Sequence, residues 1–206
     1  MKKFLLISIS LLSFLSFAAE EVEEIVVKGK VLYSDQVNAL KTPTAIVDVP
    51  QAVSIVTDED IRNQGIREIG DIVRYTPGVN TSQGEGHRDA VVFRGVRSTA
   101  DFFQDGARDD VQYYRSLYNV EQVEVLRGPN ALLFGRGGTG GIINRVTKKA
   151  TIGETFGSFD LGADDFGSTD LAIDYNTSAG ENSAFRLNAH VDALENHRDF
   201  YDGDRT

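Results

Sequence analysis

The chain has 206 residues, 41% of them hydrophobic, which is enough to form the core of one or two domains. Its formal net charge is −10, and an acidic balance argues against a nucleic-acid-binding surface. It contains no cysteine, which excludes a disulfide framework and cysteine-based zinc sites.

The first residues have the organisation of a secretory signal peptide. Lys2 and Lys3 precede an apolar run over residues 4–17, and Ala18 is a small residue at the cleavage position. A run of about 14 apolar residues is too short for a bilayer core, which needs roughly 20, so a membrane anchor is the weaker interpretation. We therefore predict a signal peptide over residues 1–18 and a mature protein that works outside the cytoplasm.

A short β-prone peptide follows. Ile25, Val26 and Val27 stand between an acidic leader and a polar, irregular stretch that continues to Thr44. A strand isolated in this way is suited to adding itself to the sheet edge of another protein, where main-chain hydrogen bonds supply affinity. The alternative is an ordinary edge strand of this chain's own fold.

Two short helices are predicted after a compact strand at residues 53–56. Thr57 can cap the first helix, which has acidic residues at 58–60 in its first turn and ends at Gly65. The second helix is marked by an apolar face at helical spacing, and it closes before Gly78. That face consists of Ile66, Ile69, Ile72 and Val73. We expect both helices to be structural.

The next segment combines strands with a dense polar cluster. A buried-type strand at residues 90–93 ends at Arg94, and Asp105-Gly106 is the signal of a tight hairpin turn. Residues 108–115 then bring guanidinium, carboxylate and phenol groups together, and arginine offers forked donors and cation–π contact to an aromatic anionic ligand. The candidate ligand-facing residues are Arg108, Gln112, Tyr113, Tyr114 and Arg115. The alternative is a solvated loop whose tyrosines cover the core.

The rest of the chain is organised around residues 120–149. Two alternating runs, 123–126 and 142–146, flank a connector rich in glycine, which predicts short strands joined by backbone with positive φ or close approach. Gly135, Gly137 and Gly140 also satisfy the G-x-G-x-x-G pattern of dinucleotide sites. The residues that follow are β-branched and too few for the crossover helix that this pattern requires. A nucleotide-binding enzyme is therefore the weakest hypothesis, and a strand at residues 142–146 would rule it out.

After residue 150 the pattern changes to strict alternation. Leu171, Ile173 and Tyr175 alternate with polar residues, and the same alternation runs over residues 185–193 after a turn at 179–182. One apolar and one polar face is what a lipid-facing, water-lined β-barrel requires. A half-buried soluble sheet would alternate too, so periodicity alone leaves both open.

Several motifs in one order resemble a known family. Leu126-Arg127-Gly128-Pro129, followed by residues 133–137 and 140–144, resembles the plug-domain core of TonB-dependent outer-membrane receptors. Phe93-Arg94-Gly95 and residues 103–106 are similar to two further plug motifs. The resemblance implies an α+β plug, a small mixed sheet with short helices, followed by the first antiparallel strands of a transmembrane β-barrel. A complete plugged barrel has roughly 22 strands.

The resemblance also implies a domain organisation. We expect a signal peptide at residues 1–18, a TonB box and linker at 19–44, the plug at 45–150, and the first strands of an incomplete barrel at 151–206. Because few residues separate Ala19 from the box, we expect no additional N-terminal signalling domain. Residues 151–206 supply three or four strands, and an open sheet would expose its edges to lipid, so we expect a truncated or partial product.

Site residues follow from the same resemblance. TonB binding is expected at Glu24, Ile25, Val26, Val27 and Lys28. Arg94 and Arg127 are expected to pair with carboxylates on the inner barrel wall and to lock the plug. Neither catalytic nor metal-binding residues of the protein's own are expected, since any iron belongs to the ligand.

The function implied is that of a receptor, not an enzyme, in the outer membrane of a Gram-negative bacterium. It would bind a ferric siderophore, of the catecholate class to judge from residues 108–115. TonB with its inner-membrane energising complex would drive uptake, and the other partner would be outer-membrane lipid, with no nucleic acid and no cofactor. The alternative is a truncated periplasmic plug module that binds TonB or ligand without transport.

Overall fold

The computed structural model describes residues 36–40, 44–82, 88–98, 101–129, 134–135, 138, 140–197 and 202–205. Within them lie two helices, α1 (Asp58–Asn63) and α2 (Ile69–Arg74), and a 3-10 turn at Ile46–Asp48. The strands are β1 (Gln36–Val37), β2 (Thr44–Ala45), β3 (Ala52–Thr57), β4 (Val79–Thr81), β5 (Val91–Phe93), β6 (Val96–Ser98), β7 (Phe102–Gln104), β8 (Ala107–Arg108), β9 (Val120–Arg127), β10 (Gly141–Thr147), β11 (Phe156–Ala163), β12 (Thr169–Ser178), β13 (Ala184–Leu194) and β14 (Gly203–Arg205).

A five-stranded mixed sheet, in the order β3-β9-β10-β7-β8, forms the centre of the first part of the fold. β9 and β10 are antiparallel, with Leu126 opposite Ile142, whereas β10 and β7 run parallel. Both alternating runs predicted from the sequence are therefore strands. The strand over residues 142–146 excludes the crossover helix of a dinucleotide site, and with it the nucleotide-binding hypothesis.

Each face of this sheet has its own apolar core because side chains alternate along a strand. Val123, Val125 and Ile143 pack on one face against apolar side chains of α1 and α2. Leu126 and Ile142 pack on the other face, under Val37 and Ala39 near the N-terminus and Val49 just before β3. The central strands are thus covered on both sides.

The N-terminus of α1 is fixed by a reciprocal cap. Thr57 Oγ1 accepts a hydrogen bond from the Asp60 backbone N–H at 3.1 Å, and the Asp60 carboxylate accepts one from Thr57 N–H at 3.0 Å. This confirms the predicted cap. The second predicted helix is also present, but it begins at Ile69, so Ile66 precedes it as a buried loop residue.

Two hairpin turns adopt left-handed backbone. Asp105 (φ 49°) and Gly106 (φ 76°) join β7 to β8, as the Asp-Gly pair predicts. Arg94 (φ 48°) and Gly95 (φ 87°) join β5 to β6 in the same way, within a separate sheet of order β4-β5-β6. The arginine of this turn is held in a conformation that a non-glycine residue seldom adopts.

The last four described strands form an antiparallel sheet in the order β11-β12-β13-β14. Its apolar side chains point to solvent, and those on β13 are Phe185, Leu187, Ala189 and Val191. Its polar side chains point inward, where Asp174 and Asn176 are buried. The predicted alternation is therefore present with the apolar face outward.

Among the residues described, neither helix has the length and apolar character needed to cross a membrane.

Polar contacts join this sheet to the first part of the fold. Arg186 on β13 donates two hydrogen bonds to Asp174 on β12, at 2.6 and 2.8 Å, and one to the backbone oxygen of Lys149 at 3.0 Å. Lys148 Nζ lies 3.3 Å from Asp174 and 3.5 Å from Asp58 at the start of α1. The sheet's inward face is therefore polar because it meets charged groups of the neighbouring domain.

Candidate functional site

The loop between β8 and β9 holds the residues predicted to face a ligand. Its backbone is held at its first residue and near its middle, since Asp109 N–H donates to the Phe102 carbonyl at 2.9 Å and Asp89 N–H donates to the Tyr113 carbonyl at 3.2 Å. The loop is therefore a folded surface held on β7, and its side chains have defined positions.

Arg115 organises this loop from within. It is 1% exposed, and its guanidinium lies 3.9 Å from the ring centroid of Phe102 and 4.6 Å from that of Tyr113. The group also donates to the backbone oxygens of Asp109, Val111 and Tyr113, at 3.0, 2.7 and 3.2 Å. A guanidinium this close to two rings gains cation–π attraction from each of them, while its N–H groups satisfy the loop carbonyls.

Two carboxylates neutralise the buried cation. Asp109 accepts from Arg115 Nε at 3.0 Å and from Arg145 Nη2 at 2.7 Å, and Asp89 lies 3.5 Å from Arg115 Nη1. The Tyr113 hydroxyl donates to Asp109 at 2.8 Å and accepts from Arg145 at 3.0 Å. Charged groups this deep are tolerated because each has partners in good geometry.

Asp89 is the member of this cluster with a perturbed acidity. Burial raises the pKa of its carboxyl above the usual 3.8, although the backbone N–H and the guanidinium of Arg115 oppose the rise. Removal from water disfavours the ionised carboxylate, and here that effect is larger than the attraction of the neighbouring cation.

The five predicted ligand-facing residues are not equally placed. Gln112 and Tyr113 are exposed at the surface of the loop. Arg108 is half-buried and donates to the Phe134 carbonyl at 2.9 Å, and Tyr114 is also half-buried. Arg115 lies inside the protein, so its guanidinium positions the loop and does not form its outer surface.

The two arginines predicted to lock the plug differ in surroundings. Arg94 is exposed at the β5–β6 turn. Arg127, at the end of β9, donates to the Pro77 carbonyl at 3.0 Å and to Ser54 Oγ at 2.9 Å. Its Nε is buried and has no hydrogen-bond partner within the described part of the chain.

The buried carboxylate of Glu124 was not predicted from the sequence. Glu124 on β9 is fully buried and receives hydrogen bonds from β10 and from the N-terminal segment. Its signal in the sequence is the pair Gln122 and Glu124, polar residues at alternate positions of a strand otherwise rich in valine and leucine. The partners lie up to 86 residues away, so no local pattern reveals them.

Residues 45–142 match the family described as the TonB-dependent receptor plug domain. The chain belongs to this plug family. It is 36% identical over 151 residues to the probable TonB-dependent receptor BfrD of Bordetella pertussis, covering 72% of this chain and 20% of that protein. It is 30% identical over 173 residues to the catecholate siderophore receptor Fiu of Escherichia coli K12, covering 76% of this chain and 21% of that one.

A solved structure agrees in fold. The crystal structure of the siderophore receptor PiuA from Acinetobacter baumannii superimposes with a TM-score of 0.71 at 28% identity, over 80% of this chain and 24% of that one. The chain thus spans between a fifth and a quarter of the length of these relatives. The predicted fold class is confirmed: an α+β plug with a small mixed sheet and short helices is followed by antiparallel strands.

The predicted TonB box, Glu24 to Lys28, lies outside the described residues, as does the predicted signal peptide. TonB binding at these residues therefore stays a prediction. The locking role of Arg94 and Arg127 also stays a prediction.

Proposed function

We propose that the chain is the front part of an outer-membrane receptor of a Gram-negative bacterium that imports a ferric siderophore with energy supplied through TonB. The observation that carries this proposal is a plug domain joined directly to a sheet with its apolar face outward and its polar face toward the plug. An outward apolar face is favourable only where lipid or further apolar protein covers it.

The proposed ligand is a ferric catecholate siderophore, with the iron as cargo. Gln112 and Tyr113 offer an amide and an aromatic ring at the surface, and Arg108 adds a nearby cation. These groups suit an anionic aromatic ligand, which can stack on a phenol ring and accept hydrogen bonds from guanidinium and amide groups. The similarity to a receptor named for catecholate siderophores supports this class.

The proposed energy input enters at Glu24–Lys28. This β-prone peptide would pair with an exposed strand of TonB, which is anchored in its inner-membrane complex. Arg94 and Arg127 would meanwhile bind carboxylates of the barrel wall and hold the plug in place. Arg94 is exposed, and the forked N–H donors of a guanidinium match the geometry of a carboxylate.

The alternative is a periplasmic plug module that binds TonB or ligand without transport. The outward apolar face counts against it, because Phe159 is 69% exposed, Leu161 73% and Phe185 56%. Such side chains on one face of a single sheet would form an apolar patch in water, which invites aggregation.

The proposal is tested by uptake of radiolabelled ferric catecholate into cells that depend on the full-length protein. Val26→Pro removes a backbone N–H from the box and prevents strand pairing there, so we expect uptake to be lost while surface binding is retained. Val22→Pro, the same change outside the box, is the matched control and should leave both intact. Uptake that survives both Val26→Pro and deletion of TonB would overturn the energy-coupled function. Uptake restricted to siderophores without catechol groups would overturn the ligand class.

A further inference from the structure

Glu124 accepts five hydrogen bonds in a fully buried position. Its Oε1 accepts from Asn38 N–H at 2.6 Å, Asn38 Nδ2 at 3.2 Å and Gln122 Nε2 at 2.7 Å. Its Oε2 accepts from Ala39 N–H at 2.8 Å and Asn144 Nδ2 at 3.0 Å. Two side-chain donors belong to the central sheet, and the other three donors belong to residues 38 and 39. A single carboxylate thus joins the sheet to the N-terminal segment.

Within the described part of the chain, residues 36–40, the N-terminal segment, make few other contacts of comparable strength. β1 and β2 form only two residue pairs, and Gln122 Nε2 donates to the Gln36 carbonyl at 3.2 Å. Val37 and Ala39 are fully buried against the second core, but they are small side chains. Hydrogen bonds to an ionised group are roughly twice as strong as neutral ones, so Glu124 supplies the specific part of the attachment.

Glu124 in turn depends on residues 36–40 for its hydrogen bonds. If residues 36–40 leave the sheet, Glu124 loses three of its five donors. A buried carboxylate without partners is costly, so the segment stays in place until work is done on it or water replaces its N–H groups. Once water enters, Gln122, Glu124 and Asn144 would form a polar stripe on the uncovered face.

The order of the chain gives this contact its role. Residues 36–40 lie between the predicted TonB box and β3, and β3 is held to β9 by six consecutive residue pairs. A pull from the N-terminal side reaches the contact with Glu124 before it reaches that ladder. We propose that Glu124 is the anchor of residues 36–40, and that its release is the first step in opening the plug. The anchor is a property of the fold, whereas the opening step rests on the TonB-coupled function proposed above.

The anchor is tested by hydrogen exchange on the full-length protein without TonB or siderophore. Glu124→Gln keeps the side-chain size but removes the charge and replaces one acceptor with a donor. We expect the amides of Asn38 and Ala39 to exchange roughly 10- to 100-fold faster. Glu121→Gln, on the same strand but without contact to the segment, is the matched control and should leave these amides unchanged. Equal exchange in the two variants would overturn the anchor.

A second variant leaves the sheet unaltered in case Glu124→Gln lowers the yield of folded protein. Asn38→Ala removes only the Nδ2 donor, so we expect about three- to tenfold faster exchange at Ala39. No change at Ala39 would also overturn the anchor. Neither readout requires uptake, so a failure of the anchor is distinguishable from a failure of the proposed transport function.

The opening step is tested by pulling the N-terminus of the membrane-embedded protein in a single-molecule force experiment. The force of the first extension should fall in Glu124→Gln and remain at the wild-type value in Glu121→Gln. If exchange at Asn38 accelerates while this force is unchanged, the segment is anchored by Glu124 but its release is not the first step, and that part of the proposal is wrong.

Discussion

Replacing Arg115 by methionine separates a positioning role from direct ligand contact. The change keeps a long, apolar side chain between Phe102 and Tyr113 but removes the guanidinium. The carbonyls of Asp109, Val111 and Tyr113 lose the guanidinium as a donor, although that of Tyr113 keeps the Asp89 N–H. The carboxylates of Asp89 and Asp109 lose a cation. We therefore expect the loop to open more often in the free protein, before any ligand is present.

The free-energy cost of Arg115→Met depends on the partners that Asp89 and Asp109 keep. Removing one member of a buried ion pair costs about 3–5 kcal/mol. Asp109 keeps Arg145 at 2.7 Å, and Asp89 keeps the backbone N–H of residue 115 at 2.8 Å, so the loss should lie near the lower limit. A cost of about 3 kcal/mol corresponds to a roughly 100-fold larger population of the open loop.

Hydrogen exchange at residues 109–115 of the full-length protein measures this population. The Asp109 amide, which donates to Phe102, should exchange roughly 100-fold faster in Arg115→Met. Gln112→Met places the same residue on the exposed side of the loop and should change exchange by less than about threefold, as expected for a surface substitution. If Arg115→Met exchanges like Gln112→Met and loses only siderophore affinity, the positioning role is wrong and the arginine contacts the ligand.

Two further predictions concern the plug. Gly141→Ala would place a Cβ 2.6 Å from the Leu126 carbonyl oxygen and against the Phe93 ring. We therefore expect urea unfolding to show a free energy of unfolding that is lower by at least about 3 kcal/mol. Gly203→Ala, which meets nothing within 4 Å, is its control, and equal stability of the two variants would contradict the packing. The raised pKa of Asp89 means that the folded protein binds this proton at a pH where the unfolded chain does not. Relative to Asp89→Asn, the free energy of unfolding of the wild type should therefore rise as pH falls through the raised pKa toward 3.8, and a difference independent of pH would contradict the shift.

Local chemistry explains which parts of the fold were predictable. The Thr57 cap and the Asp105-Gly106 turn depend on residues that are neighbours in the chain, and both were predicted. The same holds for β12 and β13, since alternation is a property of the strand itself. The parallel pairing of β10 with β7 was not predicted, because it joins segments about forty residues apart through side chains with no local signature.

The candidate site was likewise predictable only where its features depend on residues close together in the chain. The sequence shows a concentration of charged and aromatic groups at residues 108–115. In the structure, hydrogen bonds join three of these residues, Asp109, Tyr113 and Arg115, together with Arg145. The sequence did not reveal that Arg115 is buried, because its burial depends on Asp89, just before β5, and on Phe102 of β7. Glu124 is similar: an acidic residue in an apolar strand indicates a buried partner, but its partners include residues 38 and 39, before the plug, and Asn144 on β10.

The proposed outer-membrane barrel is tested most directly by the environment of two adjacent residues on β13. Leu187 points outward and is 48% exposed, whereas its neighbour Asn188 is on the inward face. Single cysteines at these positions in the full-length protein, labelled with a fluorophore in outer membranes, should differ in quenching by lipid-borne quenchers. We expect strong quenching at Leu187→Cys and little at Asn188→Cys. Equal quenching at both, or recovery of the protein from the periplasm, would contradict an outer-membrane barrel that encloses this plug.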